Sequence, residues 1–141
     1  MKSAPEIRWS IPVGHEPVSP YWIDLDGDGR VEGLVNHKGT LSAWKMDGQL
    51  LWKQSLENVA VFGLHDLDAD GRQELVIAAG MPSQVHLLEA RTGELRYRCP
   101  ELPMAGVSTV RVAKLNSELK GMQAVVWSPM QVHSVYYLLI T

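Results

Sequence analysis

Cysteine is nearly absent from this sequence. Cys99 stands alone in 141 residues, so no internal disulfide can staple the fold, and the redox compartment stays open. Basic tracts are missing too: 13 Lys and Arg are set against 16 Asp and Glu, both signs are spread along the chain, and the formal net charge is −3. That balance argues against a nucleic-acid partner or an anionic membrane surface. Long apolar runs are lacking. LVIAAGM at 75–81 and YYLLI at 136–140 are too short to span a bilayer, so no membrane insertion is expected. The opening MKSAPEIRWSIPVG has no apolar signal-peptide core, which fits either a cytoplasmic chain or one whose leader has been removed.

Catalytic signatures are also missing. There is no G-x-S-x-G elbow, no glycine-rich phosphate loop, and no H-x-H or H-E-x-x-H spacing among the five histidines. His65 abuts an acidic loop at Asp66, where a hydrogen-bonded histidine at a strand end is the plainer reading than a ligand. Cys99 precedes Pro100 with no evident base beside it.

What the chain does have is a 45% hydrophobic and 21% charged composition, enough for a globular core in a single domain of this length. It also has one stretch written twice, DLDGDGRVE at 24–32 and DLDADGRQE at 66–74. Acids at alternate positions of a turning loop converge and repel one another, which is costly without a counter-charge. A hard cation that takes six to eight oxygens supplies it, and calcium fits better than magnesium, which demands stricter octahedral geometry. The expected ligands are Asp24, Asp26, Asp28, the Arg30 carbonyl and Glu32 in the first loop. Asp66, Asp68, Asp70, the Arg72 carbonyl and Glu74 serve in the second. Gly29 and Gly71 permit the sharp turn at the sixth position. Two calcium ions per chain are therefore expected. An EF-hand is excluded, because its twelfth position needs glutamate and holds Val35 and Ile77 here, inside strand-like rather than helical patterns. A plain solvated turn explains one such loop but fits poorly with two copies in register.

The repetition extends beyond the loops. Hydrophobic runs precede them (17–23 and 58–65), and buried-strand patterns follow them. A second strand comes next (41–46 and 84–90), then a turn at Asp47-Gly48 or Thr92-Gly93, and an outer strand at 50–56 or 95–102. EIRWSIPV at 6–13 matches these outer strands and puts Trp9, Trp52 and Tyr97 in equivalent places, favouring packing roles over sugar stacking. A third unit is degenerate. Lys114 replaces the first aspartate, Asn116 the second and Glu118 the third, the turn glycine is lost, and Gln123 follows one residue late. A lysine at the first ligand position puts a positive charge where the cation belongs, so this loop is expected to bind no calcium.

Repeats of about 42–48 residues with four strands and no helix are the pattern of β-propeller blades. The D-x-D-x-D-G-x-x-E loops between first and second strands resemble the FG-GAP or VCBS repeats of integrin-α-like propellers. LSAWKMDGQLLW at 41–52 has a lesser likeness to quinoprotein-type blades, without a quinone ligand set.

The expected fold is all-β, with blades of four antiparallel strands and about three blades in the chain. The chain is read as one propeller segment (1–141) with approximate repeats 6–49, 50–94 and 95–141. Three blades are too few to close a ring. The partners are then the remaining blades of a longer chain, or further copies that close the ring as a homo-oligomer, the N-terminal strand completing a last blade. The resemblance implies a structural, non-catalytic metal and a scaffold that binds a protein or carbohydrate ligand, at the cell surface or outside the cell. The alternative is the propeller part of a polysaccharide lyase or hydrolase.

Overall fold

The computed structural model describes residues 2–10, 18, 20–128 except 100–108, and strand 134–139, with 127, 128 and 134–139 described by backbone alone. The described residues form eleven strands and no helix. β1 (Tyr21–Ile23), β2 (Glu32–His37), β3 (Thr40–Trp44) and β4 (Leu50–Ser55) make a first antiparallel sheet in sequence order. β5 (Ala60–His65), β6 (Glu74–Ala79), β7 (Gln84–Glu89) and β8 (Leu95–Arg98) make a second in the same order. β9 (Thr109–Ala113), β10 (Gln123–Ser128) and β11 (Ser134–Leu139) make a three-stranded third. Among the described residues all pairings are antiparallel, and no sheet closes on itself.

The sheets stack face to face, and the pattern of β6 shows how. Glu74 to Ala79 are buried without exception, because this strand runs through the middle sheet and both of its faces are covered. Leu75, Ile77 and Ala79 pack with Leu34, Leu41, Ala43 and Trp52 of the first sheet. Val76, pointing the other way, packs with Val110, Ala124 and Val126 of the third. Period-2 alternation thus sends successive side chains of one strand into two cores. Each fully buried Leu or Ile contributes roughly 1.5–3 kcal/mol.

The outer strands lock the stack. Trp52 of β4 is buried, donates its indole N–H to the Ala90 carbonyl (2.9 Å), and lies over Gly93, where an added Cβ would come within 2.4 Å of the ring. Gly93 also has φ +72°, so the turn needs glycine twice over. Trp9 repeats the arrangement one unit earlier. Its indole donates to the Met46 carbonyl (2.7 Å), its ring lies against Gly48, and it stacks on Trp44 with centroids 6.3 Å apart.

One expectation needs correction. Residues 6–10 make no ladder, so the N-terminal strand is not formed there; Trp9 packs on the first sheet, but no described strand pairs beside it, and 11–13 lie outside the described residues. Trp22 covers Gly33 from the edge strand β1 and stays 54% exposed. The sheets span 21–55, 60–98 and 109–139, so each outer strand belongs with the three strands before it.

Candidate metal centre

Each acidic loop joins the first two strands of its sheet. Ile23 pairs with Glu32 and His65 with Glu74, so the loop begins one residue after the ladder and its last acid is the first residue of the next strand. That register turns Glu32 and Glu74 inward beneath the loop, and both are buried. Leu25 and Leu67, the second residues of the loops, plug into the cores and fix each loop to its sheet. Their backbone N–H groups donate to Glu32 Oε2 (2.7 Å) and Glu74 Oε2 (2.9 Å).

The remaining acids wind the turn. Asp24 accepts from the amides of Gly27 and Gly29 (2.8 and 2.9 Å). Asp66 accepts from Asp70 and Gly71 (3.1 and 3.0 Å). Asp26 and Asp68 accept from the residue two ahead, as do Asp28 and Asp70. Gly29 and Gly71 sit at φ +85° and +90°, as the turn requires. Carboxylate oxygens of Asp24, Asp26 and Glu32 converge within 4.8 Å in the first loop, and those of Asp66, Asp68 and Asp70 do so in the second. Asp28 and Glu74 fall outside these two closest groupings. His65 is in neither; it lies at the end of β5, and burial lowers its pKa. An all-oxygen set of this kind suits a hard cation.

Glu74 carries the sharpest signal. The residue is 0% exposed, and its Oε1 has no hydrogen-bond partner. Arg96 Nη1 stands 4.0 Å from it, beyond hydrogen-bond reach. Burial, with added repulsion from Asp68 and Asp70 and against the pull of the Leu67 amide and the Arg96 charge, lifts its pKa to about 7. Glu32 is raised in the same direction, first by burial and then by Asp26, Asp28 and Asp24. A buried carboxylate oxygen without a partner is costly unless a cation completes it, so the residues present fit a bound metal ion.

The two loops have different surroundings. Beside the first, Lys45 Nζ lies 3.5 Å from Asp26 Oδ2. Beside the second, Arg96 of β8 hydrogen-bonds Asp68 Oδ2 (3.1 Å), Asp70 Oδ2 (2.8 Å) and Glu89 Oε2 (3.1 Å), while the Tyr97 hydroxyl donates to Asp68 Oδ2 (3.0 Å). Tyr97 therefore differs from Trp9 and Trp52, its sequence counterparts: its hydroxyl serves the acidic loop. These partners are not evident from the loop motif. The one trace of them is that Arg96 and Glu89 interrupt a repeat that has Leu51 and Lys45 in the corresponding places. A cavity of about 540 Å³ separates the two loops, lined by Asp24, Asp26, Gly71, Arg72, Glu89 and Arg91 among others.

The third loop is built on the same plan with a lysine of its own at the first position. Gln123, fully buried at the place of Glu32 and Glu74, accepts from the amides of Leu115 (2.8 Å) and Asn116 (3.0 Å). Lys114 Nζ donates to the carbonyls of Leu119 and Gly121. Gly121 is pressed against the second loop, where an added Cβ would overlap the Leu67 carbonyl, and Met122 N–H donates to that same oxygen (2.9 Å).

No family model matches the chain, and no curated protein or solved structure is significantly similar to it.

Proposed function

We propose that the chain is a calcium-binding array of β-propeller blades, akin to FG-GAP or VCBS repeats, in which the metal is structural and the array acts as a binding scaffold. The observation that carries this reading is the buried Glu74 oxygen, left without a donor beneath three converging aspartates. Glu32 and Asp24, Asp26 and Asp28 form the matching set in the first sheet, with the carbonyls of Arg30 and Arg72 as the backbone ligands of the two loops. Calcium is the favoured ion because the donors are oxygens on a loop that can spread to six or more of them. Weak sites of this type suit the millimolar calcium of an extracellular setting.

Residues 6–10 fit the scaffold reading. Trp9 sits on Gly48 as Trp52 sits on Gly93, so this segment holds the place that an outer strand of a preceding blade would hold. The neighbours that complete the ring are further blades of a longer chain or other copies of this one. A protein or carbohydrate ligand is the expected cargo.

Asp26→Ala tests the metal directly. Its thermal midpoint falls by about 5 °C or more in saturating calcium and by about 1 °C or less in chelator. Equal losses in both conditions would reduce the loops to acidic turns. Asp68 is a poorer choice, because it also anchors Arg96 and Tyr97.

A further inference from the structure

The three loops solve one electrostatic problem in three ways, and the second is the intermediate case. In the third loop the chain supplies its own cation, Lys114, bound to two backbone carbonyls, and the buried acid has become the neutral Gln123. In the first, the neighbouring cation, Lys45, stays at 3.5 Å from a single acid, and the outer-strand position that corresponds to Arg96 holds Leu51, which packs against the core. In the second, the acids are retained but the outer strand carries Arg96.

Geometry makes Arg96 more than a surface ion pair. Asp68 and Asp70 each spend Oδ1 on a backbone amide, and Arg96 takes the Oδ2 of both, at 3.1 and 2.8 Å. Those are the oxygens a metal ion would need at about 2.3–2.6 Å. Arg96 is itself fixed by Glu89 and only 20% exposed. Charge-assisted hydrogen bonds of this type are among the stronger ones a side chain makes. Asp70 is held below the usual carboxylate range, first by its bond from Arg96. One oxygen is left over: Glu74 Oε1, buried, 4.0 Å from the guanidinium and without a hydrogen bond. The arginine offsets part of the loop's negative charge without completing it.

We infer that Arg96 is a resident counter-cation of the second loop, holding it in shape without metal and competing with a divalent cation for the Asp68 and Asp70 oxygens. This rests on the metal reading proposed above. The two loops are then unequal: the first takes metal at lower concentration, and the second takes it only as Arg96 swings off.

The test is a calorimetric calcium titration of the metal-stripped full chain, in three forms: wild type, Asp26→Ala, and Asp26→Ala with Arg96→Leu. Leucine is what the first sheet has at this place. Asp26→Ala leaves the second loop as the remaining site. Adding Arg96→Leu should tighten that site about tenfold or more. In chelator, Arg96→Leu alone should lower the thermal midpoint by several degrees, with a clearly smaller loss in saturating calcium. If Arg96→Leu does not fold, Arg96→Gln in the same two assays decides the matter. An unchanged remaining-site affinity, with Asp68→Ala abolishing that site, would overturn the role of Arg96 and leave the metal reading standing. No calcium binding by any folded form would overturn the metal reading and this inference with it.

Discussion

At the scale of the residue, the stability of each acidic loop turns on how a buried carboxylate is satisfied. Glu74, with its pKa lifted to about 7, favours the protonated form in the metal-free fold. A group raised above its unfolded value stabilises the fold fully below that value, near 4.5, and loses the contribution as pH rises through about 7. In chelator, the stability difference between wild type and Glu74→Gln should therefore widen in favour of the variant from pH 5 to pH 8, by roughly 2–3 kcal/mol at most. The third loop already uses this solution, with Gln123 making the equivalent backbone bonds. Reading the difference between the two proteins matters, because buried His86 works with the opposite sign. Its pKa is lowered by burial, so its contribution is present above 6.5 and fades as pH falls. A flat difference across the range, measured by denaturant unfolding at each pH, would place Glu74 in a polar environment and remove the case for a missing cation. In calcium the order should reverse, since the neutral amide is the poorer ligand.

At the scale of the element, strand, loop and turn differ in how plainly the sequence declares them. The acidic loops are legible because their chemistry is local: alternate acids, a glycine at the sixth place and a strand on each side all lie within nine residues. The unbroken apolar run of β6 likewise announces a strand covered on both faces. Arg96 is not legible, since its carboxylate partner Asp70 lies 26 residues back and is reached only because β8 pairs with β7 beside the loop. Residues 6–10 carry the outer-strand pattern without the ladder, because a strand exists only where a neighbour pairs with it. Turn packing gives the sharpest prediction at this scale. Gly93→Ala adds a methyl where Trp52 already lies within 2.4 Å and where φ is +72°. Loss of roughly 2–4 kcal/mol is expected by chemical denaturation, from overpacking and a left-handed backbone together. A change below about 0.5 kcal/mol would mean that Trp52 does not lock the first two sheets.

At the scale of the whole molecule, three stacked antiparallel sheets share two continuous cores, and the acidic loops occupy equivalent connections in the first two. The repeat was visible in the sequence because each sheet reuses one order of strand, loop, strand and turn. The stacking was not, because it depends on which face of β6 meets which neighbour. We propose that the first two loops are cation sites whose occupancy stabilises the stack, while the third carries its own cation, Lys114. A calorimetric calcium titration of the metal-stripped chain, with the fold verified beforehand, tests that claim most directly. Two ions per chain, the second weaker than the first, are predicted; a folded chain that takes up none would contradict the account.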